Sequence, residues 1–236
     1  MIVRVRALIL VLGLLGLEIA HAAPAPPCDN CTLDVPERKT AMPLLVVLHG
    51  DHETAAAAVA RWRAPALSRG WAILGITCPE KQGCRMGQWY MWNPKASWIE
   101  NFVAAVESQI QIDPEHIYLV GWSGGSTYIG MRAHEWTRFA AVVFHGGGRK
   151  PATRTCPENV GAYFLMASSN YFLKYTKRLS DYWRGCKQDR VWDFQSDVRN
   201  HEAEGRLLDE AKANEILDWL APHARKPKPP RHRKRT

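Results

Sequence analysis

The stretch from Ile117 to Ser126 reads Ile-Tyr-Leu-Val-Gly-Trp-Ser-Gly-Gly-Ser, and it leaves the fold few options. An apolar run passes straight into a G-x-S-x-G pentad, Gly121 to Gly125, and helical sequence follows to His134. A strand that turns into a helix within two residues needs glycines around the turn. A side chain there would strike the adjoining strand or helix. Ser123, at the apex, is thereby held above the sheet edge, and the following helix presents its N-terminus to a developing anion.

Around this pentad the chain alternates. Strand-like runs cover Pro43 to Leu48, Trp71 to Thr77, Ile117 to Val120, Ala140 to Phe144, Ala162 to Met166 and Val191 to Gln195. Helical stretches separate them: Ala55 to Ala60, Ala66 to Ser68, Ser97 to Ile110, Gly124 to His134 and Leu173 to Arg184. Asp113-Pro114 reads as a turn. In the Ser97 helix, Trp98, Phe102, Ala105, Val106 and Ile110 share one face. A closing amphipathic helix is expected over Glu204 to Leu220, with Leu207, Leu208, Ala211, Ile216 and Trp219 toward the core. Short apolar strands alternating with helices predict an α/β protein with a mostly parallel sheet covered on both faces. No G-x-G-x-x-G follows the first strand and no Walker A pattern is present, so neither a dinucleotide nor a nucleoside triphosphate site is implied.

The ends read differently. Arg4 and Arg6 precede an apolar run from Ala7 to Leu17, and Ala20-His21-Ala22 is an A-x-A cleavage pattern. That is a secretory signal, cut after Ala22 and too short to serve as a membrane span. Residues 23–41 form an N-terminal segment, 42–222 the single folded domain, and 223–236 a basic tail. The chain has 31 Lys and Arg against 23 Asp and Glu. Seven of those cations lie after Ala224, while the signal holds Arg4, Arg6 and Glu18. Setting both ends aside leaves equal numbers of each sign. The net charge of +8 therefore does not signal specific nucleic-acid binding. The Pro-rich tail is read as disordered, either solubilising or drawn to an anionic surface.

Six cysteines in an exported chain predict disulfides, and neighbourhood suggests Cys28–Cys31, Cys78–Cys84 and Cys156–Cys186. Cys28-Asp29-Asn30-Cys31 lacks the βαβ context of a redox motif. No second C-x-x-C or paired His spacing supports zinc. No cofactor is implied, and the expected location is secreted or periplasmic.

Three motifs, Leu48-His49-Gly50-Asp51, Ile112-Asp113-Pro114-Glu115-His116-Ile117-Tyr118 and Gly121-Trp122-Ser123-Gly124-Gly125, carry a resemblance to the α/β-hydrolase superfamily over about residues 42 to 221. Within it the chain looks most like the secreted polyhydroxybutyrate-depolymerase and feruloyl-esterase-like branch. The resemblance implies a serine esterase with Ser123 as nucleophile. It also implies an oxyanion hole formed by the backbone N–H groups of Gly124 and of Asp51 or its neighbour, with His49 bracing that loop. Phe144-His145-Gly146-Gly147-Gly148 mimics a lipase oxyanion sequence, but it follows the nucleophile and reads as a loop leaving a core strand.

The general base belongs in a loop after the last strand, and of nine histidines only His201 fits that address. The family places an Asp after the preceding strand, yet here the stretch is Met166-Ala167-Ser168-Ser169-Asn170. An amide cannot stabilise an imidazolium. Asp197 is therefore the expected acid, with Asp193 and, less suitably placed, Asp181 as substitutes. The long loop from Cys78 to Pro94 carries Trp89, Tyr90 and Trp92, which either line a crevice or pack beneath a disulfide-closed loop. The expected substrate is a small or polymeric ester of a hydroxy or aromatic acid. Two rivals stay open: a peptidase using the same site, and a degenerate hydrolase kept as a binding module.

Overall fold

A computed structural model of the chain describes residues 23–38, 40–82, 84, 87–89, 96–168 and 170–225. The signal reading, all of the tail beyond Arg225, Tyr90 and Trp92 lie outside these residues.

Seven strands form one sheet in the order β1-β3-β2-β4-β5-β6-β7. They are β1 (Thr32–Asp34), β2 (Met42–Leu48), β3 (Ala72–Ile76), β4 (Ile112–Trp122), β5 (Ala141–His145), β6 (Gly161–Ala167) and β7 (Arg190–Gln195). Only β1 runs antiparallel to its neighbour. Successive side chains on a strand point to opposite faces, so a strand buried on both faces must be apolar throughout. In β2, Leu44, Val46 and Leu48 enter one core and Leu45 and Val47 the other. The first core is closed by α3 (Ser97–Glu107), α4 (Gly124–Met131) and α5 (Leu173–Gly185). The second is closed by α1 (Ala55–Ala60), α2 (Arg63–Ser68) and α7 (Glu210–Leu220). Each fully buried Leu or Ile in these layers contributes about 1.5–3 kcal/mol of transfer free energy.

Four boundaries differ from the sequence reading, each for a local reason. Strand β1 recruits part of the N-terminal segment into the sheet; three half-buried residues give no periodic signal. Pro65 lies within the first turn of α2, where a missing N–H costs nothing. Asp113-Pro114 lies inside β4, whose pairing with β2 shifts register between Met42 and Leu44. The expected closing helix is two helices, α6 (His201–Gly205) and α7, each with its own cap. Asn200 accepts from the Ala203 N–H at 2.8 Å and Asp209 from the Lys212 N–H at 2.8 Å. The restart at Glu210 turns Ala213, Ile216, Leu217 and Leu220 inward and leaves Ala211 exposed.

All three neighbour-paired disulfides are present. Trp89 is fully buried among His49, Trp98 and Tyr128, so it packs beneath the loop closed by Cys78–Cys84 and does not line a crevice. Packing also continues past the expected domain end. The Arg225 N–H donates to the Glu115 carbonyl at 2.7 Å, and its guanidinium reaches the Glu158 carbonyl at 3.2 Å.

Candidate active site

Strand β4 ends at Trp122, and Ser123 adopts φ 49° and ψ −108°, a conformation rarely tolerated by a residue with a side chain. The surroundings enforce it. A Cβ at Gly121 would lie 2.6 Å from the Ser126 nitrogen, and one at Gly125 would lie 2.6 Å from the His49 carbonyl. Strand β5 pins the turn from beside it: the Ser123 N–H donates to the His145 carbonyl at 2.9 Å, and the Ser126 hydroxyl bonds both the Gly121 and His145 carbonyls.

Across the sheet edge, His201 Nε2 lies 2.8 Å from Ser123 Oγ. Its Nδ1 lies 2.9 Å from Glu204 Oε2. This network requires Nδ1 to carry the proton and donate it to the carboxylate, which leaves Nε2 free to accept from the serine hydroxyl. His201 and Glu204 are three residues apart on α6, so one helical turn brings them to the same face. The imidazole also stacks on Trp122, with ring centroids 4.5 Å apart and planes within 14°.

Glu204 is completely buried, and a buried carboxylate must be well supplied with donors. Oε1 accepts from the Ala167 N–H at 2.7 Å. Oε2 accepts from the Asn170 side-chain amide as well as from His201. Asn170 Nδ2 also donates to the Gly146 carbonyl at 2.8 Å. From behind, His145 Nε2 donates to the Glu204 carbonyl at 2.8 Å. Complete burial drives the His145 imidazole down to about 3, so it stays neutral and keeps this role across the working pH range.

The expected acid, Asp197, is elsewhere: it is exposed and accepts from the Ser196 hydroxyl at 3.0 Å. Asp193 is committed to Lys212 and Tyr163, and Asp181 to Arg184 on the surface of α5. The carboxylate beside His201 is therefore Glu204, the residue at which the sequence predicts the closing helix to begin. The overlooked signal is Asn200-His201-Glu202-Ala203-Glu204-Gly205, an N-cap followed by His and Glu at i and i+3, then a glycine before the next cap at Asp209.

The loop expected to supply the oxyanion hole, His49-Gly50-Asp51, lies beside Gly124. His49 is buried; its Nδ1–H donates to the Gly50 carbonyl at 2.6 Å and its Nε2 accepts from the Cys78 N–H at 3.0 Å. It braces the loop and does not face the nucleophile's hydroxyl. Asp51 accepts from the Trp89 N–H at 3.1 Å, and its carboxylate lies directly over Gly124, where a Cβ would come within 2.0 Å of Oδ1. Burial pushes the Asp51 carboxyl up, against the opposing influence of the Trp89 N–H and of His52 and His201. Asp51, Ser123, Gly124, Thr127, Met131 and Phe172 are among the residues lining a cavity of about 270 Å³. Among the described residues, no His, Cys, Asp and Glu side chains group in a way that could hold a metal ion.

Several solved structures share this architecture. A thermostable esterase aligns with a TM-score of 0.65 at 18% identity, over 83% of this chain and 59% of its own length. Esterase PE8 aligns with 0.64 at 11% identity, over 81% and 97% respectively. A truncated carbohydrate esterase from gut microbiota aligns with 0.63 at 13% identity, over 82% and 90%. The fold is that of the α/β-hydrolases. No protein-family description and no curated protein matches the sequence. In this fold the strand-to-helix turn, the loop after β2 and the segment after β7 converge on one sheet edge, the C-terminal edge of the parallel strands.

Proposed function

We propose that the chain is an exported serine esterase, a carboxylic ester hydrolase, in which Ser123, His201 and Glu204 form the reacting triad. The observation that carries this reading is the continuous hydrogen-bonded line Ser123 Oγ, His201 Nε2, His201 Nδ1, Glu204 Oε2, at 2.8 and 2.9 Å. His201 Nε2 takes the hydroxyl proton as Ser123 Oγ adds to the ester carbonyl. The tetrahedral oxyanion then rests on the N–H groups of Gly124 and Asp51, each such donor contributing on the order of 3 kcal/mol. Collapse breaks the bond to the alcohol, which leaves with the proton returned by His201. Water repeats the sequence on the acyl-serine, giving the carboxylic acid and free Ser123. Glu204 holds the Nδ1–H tautomer and offsets the imidazolium charge in both halves.

The secreted polyhydroxybutyrate-depolymerase and feruloyl-esterase-like branch is the one we favour, on the motifs around Asp51, Asp113 and Ser123. Export rests on the N-terminal signal pattern, and three disulfides are consistent with it. Among the described residues no helix is long and apolar enough to cross a membrane. A fluorophosphonate probe should label wild type at Ser123 and leave Ser123→Ala unlabelled. Turnover on activated acyl esters should exceed that on matched anilides. A wild-type protein that neither labels nor turns over esters would overturn the proposal.

A further inference from the structure

The cavity over Ser123 does not end at Phe172. Met131, Arg149 and Tyr175 also line a second cavity of about 560 Å³, so the two adjoin along the start of α5. The chemistry of the second cavity is one-sided. Arg149, Lys150 and Arg178 line it and are exposed. Its carboxylate, Glu135, is bound to Arg132 at 2.8 Å and to the Ala96 N–H at 3.0 Å. No salt bridge joins Arg149, Lys150 or Arg178 to an acid among the described residues. Among the described residues Lys150 has the weak contact of its ammonium with the Pro151 carbonyl, at 3.4 Å.

The sequence around the cavity repeats the bias. From residue 146 to 180 there are six Lys and Arg and one acid, Glu158. Glu158 acts electrostatically on Arg225. Of these six cations Arg149, Lys150 and Arg178 line the cavity. Between its ends the chain carries equal numbers of each sign, so their grouping there is a segregation of charge and not a reflection of the whole. A concave wall of one sign focuses its field into the cleft and favours a counter-charged ligand more than the same cations would on a convex surface. The wall is also fixed relative to the reacting serine. The loop carrying Arg149 packs so closely on the turn that a Cβ at Gly147 would lie 2.3 Å from the Ser123 carbonyl.

We infer that the substrate is an anionic ester: the scissile carbonyl sits at Ser123 while a negatively charged group, such as a carboxylate, extends past Tyr175 to Arg149 and Arg178. This rests on the esterase reading above and adds the class of ester to it. The charge could belong to the acyl part or to the alcohol, and two pairs of esters separate these. One pair is para-nitrophenyl hexanoate against the para-nitrophenyl monoester of adipic acid. The other is acetylated glucose against acetylated glucuronic acid.

The anionic member of at least one pair should show about tenfold higher kcat/KM at low salt, a preference that shrinks as ionic strength rises. Arg149→Gln and Arg178→Gln should each lower the ratio of anionic to neutral kcat/KM several-fold. A second measurement is independent of turnover: Ser123→Ala should bind monomethyl adipate more tightly than methyl hexanoate, and lose that preference when combined with Arg149→Gln. Ratios near one in both pairs, together with equal binding of the two methyl esters, would overturn the inference while leaving the esterase reading intact. Absence of all turnover and probe labelling would overturn the esterase reading, and the binding preference of Ser123→Ala would still decide whether the basic wall selects anions.

Discussion

Asn170, at the strand end where the superfamily commonly carries its acid, donates its side-chain amide to the carboxylate of Glu204. In the proposed triad the position therefore orients the acid and does not supply it.

Replacing Glu204 by Gln should lower kcat by two to four orders of magnitude. An amide there can hold the imidazole in the wrong tautomer and cannot offset its charge, and the comparable change in a serine protease costs about 10⁴. Asp197→Asn should change kcat by less than about twofold, since that carboxylate is exposed and accepts from the neighbouring Ser196 hydroxyl, away from His201. Steady-state kinetics on one activated ester compares them. A large loss in Asp197→Asn with none in Glu204→Gln would return the acid to the loop.

Asn170→Asp should reduce activity. It replaces an amide donor to Glu204 by a second carboxylate in the same buried space, and one of the two would then take up a proton. Loss of the donor to a buried charge should also cost about 1–3 kcal/mol of stability. Denaturant unfolding and kcat on the same preparation test both effects. A gain in kcat would show that Asp at 170 is the better acid.

Acid stability should depend on Asp193. Burial alone would raise its carboxyl, but hydrogen bonds from Lys212, Gln195 and Tyr163, with the Lys212 charge, hold it below the ordinary carboxylate range. A depressed carboxylate stabilises the fold above its unfolded value, about 3.9, and that stabilisation fades as pH falls through the lower folded value. Asp193→Asn should destabilise the protein by about 1–3 kcal/mol at neutral pH. The difference from wild type should narrow below pH ~4. Thermal melts across pH would show a constant gap if the carboxylate were unperturbed.

Removing the Cys156–Cys186 bridge by a double Cys→Ala change should cost about 2–4 kcal/mol, more than removing Cys78–Cys84 or Cys28–Cys31. The sequence separations are 30, 6 and 3, and the longer loop restricts the unfolded chain most. Equal costs for the three pairs, read from urea unfolding, would mean that native packing and not loop closure dominates.

Truncation should be sharp at one residue. Ending the chain after Arg225 should leave ester turnover and melting unchanged. Ending it after Ala224 should lower stability by about 1–2 kcal/mol, because the contacts of Arg225 with the Glu115 and Glu158 carbonyls are lost. Identical melting curves for the two would show those contacts to be idle.

What the sequence disclosed tracks how local each signal is. The turn at Ser123 was legible because steric conflict at Gly121 and Gly125 admits few residues. The layers were legible because strands buried on both faces must be apolar. His201 could be placed from chain order alone. The carboxylate bonded to it could not, because Glu204 fits the polar side of an amphipathic helix as well as it fits a buried site; only the break between Gly205 and Asp209 separates the two readings. Strand β1 and the docking of Arg225 depend on partners far along the chain and leave no periodic trace. In α3 the inward face was correct to within one residue, with Ile99 and Val103 buried where Trp98 and Phe102 were expected to lead.

The proposed base and acid lie on a single five-residue helix, so the spacing of His201 and Glu204 is set by helical pitch and not by the docking of two separate loops. The pair behaves as a cassette. A slide or tilt of α6 carries both residues off Ser123 together, and their mutual bond survives the movement. Local fraying of this segment would therefore silence the nucleophile in one step, well before the sheet beneath it melts, and heat inactivation would outrun loss of tertiary structure.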